Sequence, residues 1–215
     1  MQFSVDAILF DIDGTLVDST AAVERTWRVW AAAHGVDAEE LLEGSHGRRS
    51  EDTIADYLPP DQIAESVAYL DDLEDNDLDD ITALPAAATL LASLPTDRWA
   101  VVTSGNRALM RTRLQVAGLP IPAIMISSED VTEGKPDPQG YRLAAELLGF
   151  APERCLVVED APSGVAAGLA MGGPVLAVAT SHPAAEVAAA HAVVPDLTAV
   201  SAELTPTGLL VTLRG

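Results

Sequence analysis

Residues 5–15 read VDAILFDIDGT, in which a short apolar run gives way abruptly to two aspartates, a glycine and a threonine. The apolar run from Val5 to Phe10 predicts a buried β-strand, and the polar residues with Gly14 end it. Asp11 and Asp13 are separated by one residue. We therefore expect both aspartates to serve one pocket at the carboxyl end of this strand.

Apolar, β-branched runs of similar length recur along the chain and alternate with helical patterns. This alternation predicts an α/β fold with a doubly wound core, in which helices cover both faces of a parallel sheet. The further strands are predicted at 99–103, 123–126, 155–159 and 174–179, with a weaker one at 192–194. The helices between them are predicted at 107–117, 138–148, 163–171 and 184–190.

Residues from about Thr20 to Thr82 interrupt this alternation. Helical patterns at 21–33, 38–43, 51–57 and 61–75 follow one another there without a convincing strand. We expect an all-helical segment over residues 19–84, here called the helical insert, attached to a core made of residues 1–18 and 85–215. The stretch 71–80 holds seven carboxylates in ten residues, a pattern that favours a solvated surface over a binding site.

The charge balance narrows the class of partner. The chain of 215 residues contains 12 Lys and Arg against 33 Asp and Glu, which gives a net charge of −21. Because so acidic a protein repels nucleic acids and anionic membranes, we expect neither as a partner. No apolar run is long enough to span a bilayer, and the single Cys155 cannot form an intramolecular disulfide. We expect a cytoplasmic protein.

Polar residues follow each of the predicted core strands. Ligands of an open parallel sheet bind beyond the carboxyl ends of its strands, so these residues are expected to converge on one edge. They are Asp11 and Asp13 after the first strand, Thr103, Ser104, Gly105 and Asn106 after the second, Lys135 after the third and its loop, and Glu159 and Asp160 after the fourth.

Each converging group is suited to phosphate chemistry. Crowded carboxylates need a cation, and a set of oxygen ligands suits Mg²⁺. The hydroxyls and amides of residues 103–106 precede a predicted helix, so they can bind a phosphate at its N-terminus. Lys135 is the single lysine of the chain, and it can neutralise a phosphoryl oxygen and a carboxylate together.

Together these groups predict phosphoryl transfer through a carboxylate nucleophile. Asp11 would attack phosphorus while Mg²⁺ screens the repulsion between the two anions, and an aspartyl-phosphate would form. Asp13 would protonate the leaving alkoxide and then take a proton from the water that hydrolyses the intermediate. The helical insert would exclude water and hold the substrate, a small phosphorylated metabolite. Because the insert can cover the site within one chain, a monomer suffices.

Four segments resemble the motifs of the haloacid dehalogenase superfamily, subfamily IA. DIDGTLVDS at 11–19 is similar to the first motif, and TSG at 103–105, KPDP at 135–138 and EDAPSG at 159–164 are similar to the other three in order and spacing. The resemblance covers nearly the whole chain. It implies a Rossmann-like core with a helical C1 cap, which is the insert, inserted after strand one. It also implies Mg²⁺ held by Asp11, the backbone carbonyl of Asp13 and Asp160, with Glu159 in support.

A finer resemblance lies in SHGRRS at 45–50 and in the residues flanking the motifs, which look like those of glycerol-3-phosphate and 2-deoxyglucose-6-phosphate phosphatases. It implies a Mg²⁺-dependent phosphatase that hydrolyses a small sugar or polyol phosphate.

Within the insert, His46, Arg48 and Arg49 are the candidate substrate-binding residues, because their side chains can recognise phosphate or hydroxyl groups. His182 is expected at a helix end or in solvent. Trp27 is expected in the hydrophobic core of the insert.

Two other activities on the same scaffold remain as alternatives, a phosphoglycolate phosphatase and a β-phosphoglucomutase-like phosphomutase. The mutase relatives carry a histidine twelve residues after the nucleophile, where this chain has Val23, which favours hydrolysis. A dehalogenase is disfavoured because its motif lacks the second aspartate, here Asp13. A signalling receiver module is disfavoured because it has no helical insert after its first strand.

Overall fold

The computed structural model describes residues 1–214 and has a six-stranded parallel sheet at its centre. A three-stranded antiparallel sheet and a two-stranded pair complete the β-structure of these residues. The strands are β1 (Gln2–Val5), β2 (Ala7–Phe10), β3 (Val17–Asp18), β4 (Thr82–Ala83), β5 (Trp99–Val102), β6 (Met125–Ile126), β7 (Cys155–Glu159), β8 (Val175–Val178), β9 (Ala192–Val194), β10 (Val200–Thr205) and β11 (Gly208–Leu213).

Helices cover both faces of the sheet and form the insert. Within residues 1–214, none of them is long and apolar enough to cross a membrane. They are α1 (Thr20–His34), α2 (Ala38–Ser45), α3 (Ser50–Ile54), α4 (Pro60–Asp75), α5 (Ala87–Ser93), α6 (Arg107–Val116), α7 (Gln139–Leu148) and α8 (Pro162–Met171).

The central sheet has the strand order β6-β5-β2-β7-β8-β9 and confirms the predicted α/β class. Its central strands are buried on both faces, as strands of a helix-covered parallel sheet are. Successive side chains of β2 enter different hydrophobic clusters: Ile8 and Phe10 pack on one face, and Ala7 and Leu9 on the other. The carboxyl ends of β2, β5 and β7 therefore form one edge above a closed core.

The prediction of one strand from Val5 to Phe10 is wrong in one respect, because the chain divides at Asp6. β1 pairs antiparallel with β11 in the three-stranded sheet, whereas β2 pairs parallel with β5 and β7. The amide of Asp6 donates to the carbonyl of Arg154, and both carboxylate oxygens of Asp6 accept from the Arg154 guanidinium. These contacts anchor the junction between the two sheets.

Two further differences lie near the C-terminus. Residues 184–190 form turns and not the predicted helix. So short a segment needs tertiary packing to stay helical, and Val187 is its one fully buried apolar side chain. The β10–β11 hairpin is a further difference, because no strand is predicted there from the sequence; Leu209 and Val211 of β11 are buried in the core.

The helical insert has a hydrophobic cluster of its own, with Trp30, Leu41 and Leu70 completely buried. α1, α2 and α4 begin within one residue of their predicted starts, while α3 ends three residues earlier than predicted, at Ile54. The two-residue strands β3 and β4 pair with each other where the chain leaves and re-enters the core. The boundaries at residues 19 and 84 stay a prediction.

We expect Leu156→Ala to lower the free energy of unfolding by about 2–5 kcal/mol, because the substitution leaves a cavity in a close-packed interior. Leu156 lies in β7 between β2 and β8 and has no exposed surface. Urea unfolding measures the loss. Leu147→Ala is the matched control, since Leu147 on α7 is 57% exposed, and its effect is expected to stay within about 0.5 kcal/mol. Equal losses for the two variants would contradict this packing.

Candidate active site

Asp11 is the first residue beyond β2, between the ends of the neighbouring strands β5 and β7. Its carboxyl group is buried, and its Oδ1 accepts a hydrogen bond of 2.5 Å from the Nζ of Lys135. Burial raises the pKa of Asp11 well above its ordinary value, and the nearby Glu159 and Asp160 add to the effect, while Lys135 opposes it. The structure thus brings together residues that lie 124 positions apart, as the strand-end argument predicts.

Lys135 joins two carboxylates in this buried site. Its Nζ also donates to Oε1 of Glu159 at 2.6 Å, and the same oxygen accepts from the hydroxyl of Tyr141 at 2.6 Å. Burial disfavours the ammonium ion, but Asp11 and Glu159 outweigh this and raise the pKa of Lys135. Lys135 therefore stays a cation.

Oxygen atoms of Asp11, Glu159 and Asp160 lie within 4.8 Å of one another, a set that could hold a metal ion. Glu159 is the most fully engaged of the three, because its Oε2 accepts from the amides of Asp160 and Ala161 while its Oε1 binds Lys135 and Tyr141. Asp11 and Asp160 are therefore the better direct ligands. A hard divalent cation with oxygen ligands fits this donor set.

Asp160 is oriented by two hydroxyl groups. Its Oδ1 accepts from Thr15 at 2.8 Å, and its Oδ2 accepts from Ser181. Burial and the charge of Glu159 raise the pKa of Asp160 to about 7, against the opposing effects of Ser181 and Thr15. A cation beside Asp160 would have to compete with a proton below this pH.

The cleft above these residues has a cavity volume of about 100 Å³. Thr103, Ser104 and Gly105 line it, as expected for a phosphate-binding turn. Asn106 does not line this cleft: its Oδ1 caps α6 by accepting from the amide of Leu109, and its Nδ2 donates to Asp71 of α4. The predicted phosphate-binding run therefore contributes its first three residues to the cleft.

The structure separates the two adjacent arginines of the insert. Arg48 lines the cleft with His46, and its guanidinium forms an ion pair of 2.8 Å with Asp56. Arg49 turns to the other side, where it pairs with Asp52 through two hydrogen bonds and donates to the carbonyl of Val131. Arg49 thus contacts the loop that leads to Lys135 and does not line the cleft.

His182 contacts two residues that line this cleft, His46 and Ser181. Its ring meets that of His46 edge-on, with the ring centroids 5.4 Å apart, and its Nδ1 is hydrogen-bonded to Ser181. Burial and the neighbouring His182 lower the pKa of His46, which disfavours its protonated form. Ser181 and His182 follow β8, whose carboxyl end is not among the four strand ends predicted to supply polar residues to this edge.

Asp13 is held by Ser19, the last residue of the first motif, and by Arg113, which the sequence does not single out. Its Oδ1 accepts from the hydroxyl of Ser19 at 2.7 Å, and its Oδ2 accepts from Arg113 of α6 at 2.7 Å. Arg113 also pairs with Glu74 of α4 at 3.1 Å. Glu74 is only 7% exposed, so the expectation of a solvated surface for the stretch 71–80 is wrong at this residue.

The remaining wall of the cleft comes from α1. Trp27 packs into the core of the insert, as expected, and also lines the cleft together with Val23. The cleft therefore has one wall formed by the core, from the first and second motifs. Another wall, largely apolar, is formed by α1 of the insert.

Comparison with known proteins agrees with this arrangement. A family model described as haloacid dehalogenase-like hydrolase matches residues 5–172. The chain belongs to the haloacid dehalogenase-like hydrolases.

Among these hydrolases, Hexitol phosphatase A of Escherichia coli is 46% identical over 178 residues, which cover 79% of this chain and 81% of that protein. The 2-deoxyglucose-6-phosphate phosphatase 2 of Saccharomyces cerevisiae is 38% identical over 226 residues, covering 93% of this chain and 91% of that protein. A solved hydrolase from Pseudomonas syringae has a TM-score of 0.77 at 25% identity and covers 89% of this chain and 94% of its own. The likeness thus extends over both the core and the insert.

We expect Gly14→Ala to weaken the binding of a divalent cation to this haloacid dehalogenase-like hydrolase by at least about tenfold, because the added Cβ would displace the carboxylate of Asp160 from its position in the cluster. Gly14 has φ +80°, and a Cβ at this position would lie 2.1 Å from Oδ2 of Asp160. Calorimetric titration with Mg²⁺ measures the affinity.

Gly172→Ala is the matched control. Gly172 has φ +95° and no heavy atom within 4 Å of an added Cβ, so it imposes the same kind of backbone strain far from the cluster. If both variants bind Mg²⁺ equally well, Gly14 does not protect the position of Asp160.

Proposed function

We propose that this chain is a Mg²⁺-dependent phosphatase that hydrolyses a small sugar or polyol phosphate through an aspartyl-phosphate on Asp11. The observation that carries the proposal is the position of Asp11: it lies in the floor of a cleft lined by Thr103, Ser104 and Gly105, with its Oδ1 bound to the Nζ of Lys135. A carboxylate nucleophile, a cation and a turn suited to phosphate thus meet in one place.

In the first step, an oxygen of Asp11 bonds to phosphorus and the bond from phosphorus to the leaving oxygen breaks. The proton that the leaving oxygen needs comes from the carboxyl group of Asp13. Lys135 donates to Asp11 and can also face a phosphoryl oxygen, so it reduces the repulsion between nucleophile and substrate.

In the second step, the oxygen of a water molecule bonds to phosphorus and the bond from Asp11 to phosphorus breaks. Asp13, now a carboxylate, takes the proton of the attacking water, and inorganic phosphate leaves. Mg²⁺, which Asp11, the backbone carbonyl of Asp13 and Asp160 would hold with Glu159 in support, supplies charge neutralisation when bound.

The charges of the cleft support an uncharged leaving group. Each arginine that lines the cleft already has a carboxylate partner, Asp56 for Arg48 and both Asp13 and Glu74 for Arg113. No arginine lining the described cleft is left to bind a second anionic group of the substrate. Hydroxyl groups of a sugar or polyol can bind such paired side chains without disturbing their charge balance.

Similarity to known phosphatases points to the same substrate class. Proteins named hexitol phosphatase, 2-deoxyglucose-6-phosphate phosphatase and glycerol-1-phosphate phosphohydrolase are 46%, 38% and 33% identical to this chain. Val23 lines the cleft at the position where a phosphomutase would need a proton-transfer group, which supports hydrolysis. We also propose that the enzyme is cytoplasmic. We further propose that it acts as a monomer, since one chain supplies every wall of the cleft.

We expect the chain to release phosphate in the presence of Mg²⁺ from glycerol-3-phosphate, 2-deoxyglucose-6-phosphate or sorbitol-6-phosphate. Asp11→Asn is expected to lower kcat by more than about 10³-fold, because it removes the nucleophile. A phosphate-release assay over these esters, phosphoglycolate and β-glucose-1-phosphate makes the test. Glucose-6-phosphate formed without release of phosphate would contradict hydrolysis, and a preference for phosphoglycolate would contradict the substrate class.

We expect Asp56→Asn to raise kcat/KM for phosphoglycolate relative to a polyol phosphate by about two- to fivefold, because an exposed ion pair is weak and its loss frees Arg48 for the substrate carboxylate. Asp72→Asn is the matched control, since Asp72 is an exposed carboxylate of α4 that contacts Asn76 and not Arg48. An unchanged ratio in Asp56→Asn would show that Arg48 does not face the substrate.

A further inference from the structure

Arg113 is a buried cation in the last turn of α6, only 2% exposed. A guanidinium ion removed from water needs charged partners, and Arg113 has two. Its Nη1 donates to Asp13 and its Nη2 donates to Glu74, whereas its buried Nε has no hydrogen-bond partner within residues 1–214. The two carboxylates come from different parts of the chain, the loop after β2 and the helix α4 of the insert.

The two oxygens of Asp13 differ in what their donors can do. The Ser19 hydroxyl at Oδ1 can turn its hydrogen away and accept a bond instead, so Oδ1 can carry a proton. Arg113 at Oδ2 can only donate. Oδ1 is therefore the oxygen suited to exchange a proton with substrate or water, and Oδ2 is the oxygen that fixes the carboxyl group in place.

Ser19 has the position of a helix N-cap, directly before α1, yet its side chain makes no capping hydrogen bond. Its hydroxyl donates to Asp13 instead. Serine at this position normally caps the helix, so here Ser19 holds the carboxyl group of Asp13 in place of capping α1.

We infer that Arg113 is a positioning residue for Asp13, and that Glu74 of the insert holds Arg113 in place. The inference rests on the proposed role of Asp13 as the proton donor to the leaving group. Glu74 acts through Arg113, because its carboxylate binds Nη2 while Nη1 binds Asp13. The insert thereby affects proton transfer through one ion pair and not only by covering the cleft.

The test uses two aryl esters whose leaving groups differ in basicity. Phenyl phosphate needs protonation of its leaving oxygen, whereas the p-nitrophenolate of p-nitrophenyl phosphate leaves without it. The value of kcat/KM reports the steps up to transfer of the phosphoryl group, so the later activation of water does not enter it. A loss of folded enzyme would lower both values equally, whereas misplacement of a proton donor lowers only the first.

We expect Arg113→Met to lower kcat/KM for phenyl phosphate by about 10- to 100-fold, within the contribution of a general acid, and that for p-nitrophenyl phosphate by less than about threefold. Glu74→Gln is the milder variant, because it keeps the shape of the side chain and removes its charge; it should change the ratio in the same direction. Arg113→Lys restores a cation and should recover part of the loss.

Two controls separate positioning from general damage. Arg25→Met removes an arginine of the insert that pairs with Asp77 and Asp80 and does not line the cleft, and it should leave both values unchanged. The double variant Arg113→Met/Glu74→Gln should be no worse than Arg113→Met alone, because Glu74 acts through Arg113.

A ratio unchanged in both Arg113→Met and Glu74→Gln would overturn the inference, and so would fully additive losses in the double variant. Wild-type enzyme that hydrolyses both aryl esters but none of the polyol or sugar phosphates would contradict the proposed substrate class and leave this test intact. Wild-type enzyme without activity on any phosphate ester would overturn both proposals.

Discussion

Three carboxylates and one ammonium group are buried together at the carboxyl ends of β2 and β7, and much of the structure serves to keep them there. Asp11, Glu159 and Asp160 carry three negative charges against the single positive charge of Lys135 if all are ionised. Removing such groups from water costs several kcal/mol for each ion, on the order of what a whole domain gains in net stability. The excess of two negative charges is what a divalent cation would neutralise.

This cluster constrains the backbone around it. An added Cβ on Gly14 would lie 2.1 Å from Asp160, and one on Gly164 would lie 1.8 Å from Oε1 of Glu159. Gly164 belongs to the first turn of α8, so the helix can approach the buried carboxylate only where it has no side chain. These glycines are required by close contact with the charged residues, and a favourable turn conformation alone does not explain Gly164.

The cluster could be predicted from the sequence because the carboxyl ends of neighbouring parallel strands lie at the same edge of the sheet. Asp11 and Lys135 are distant in the chain, yet each follows a strand that could be recognised from its apolar pattern. Arg113 lies within α6 and follows no strand end, so its contact with Asp13 depends on which face of α6 is turned inward and on where α4 packs. Arg48 and Arg49 are adjacent, and only tertiary contacts with Asp56 on one side and Val131 on the other distinguish them.

The acidic stretch of residues 71–80 shows why charge pattern alone could not locate the contacts of the insert. Asp71 and Glu74 lie one helical turn apart on α4 and reach Asn106 and Arg113 of the core, while Asp77 forms an ion pair with Arg25 of the insert itself. Burial raises the pKa of Glu74, and Arg113 opposes this rise. The charged form of Glu74 is therefore stabilised by its contact with Arg113. Because displacement of α4 would leave Arg113 with one carboxylate in place of two, the position of the insert and the orientation of Asp13 depend on the same ion pairs.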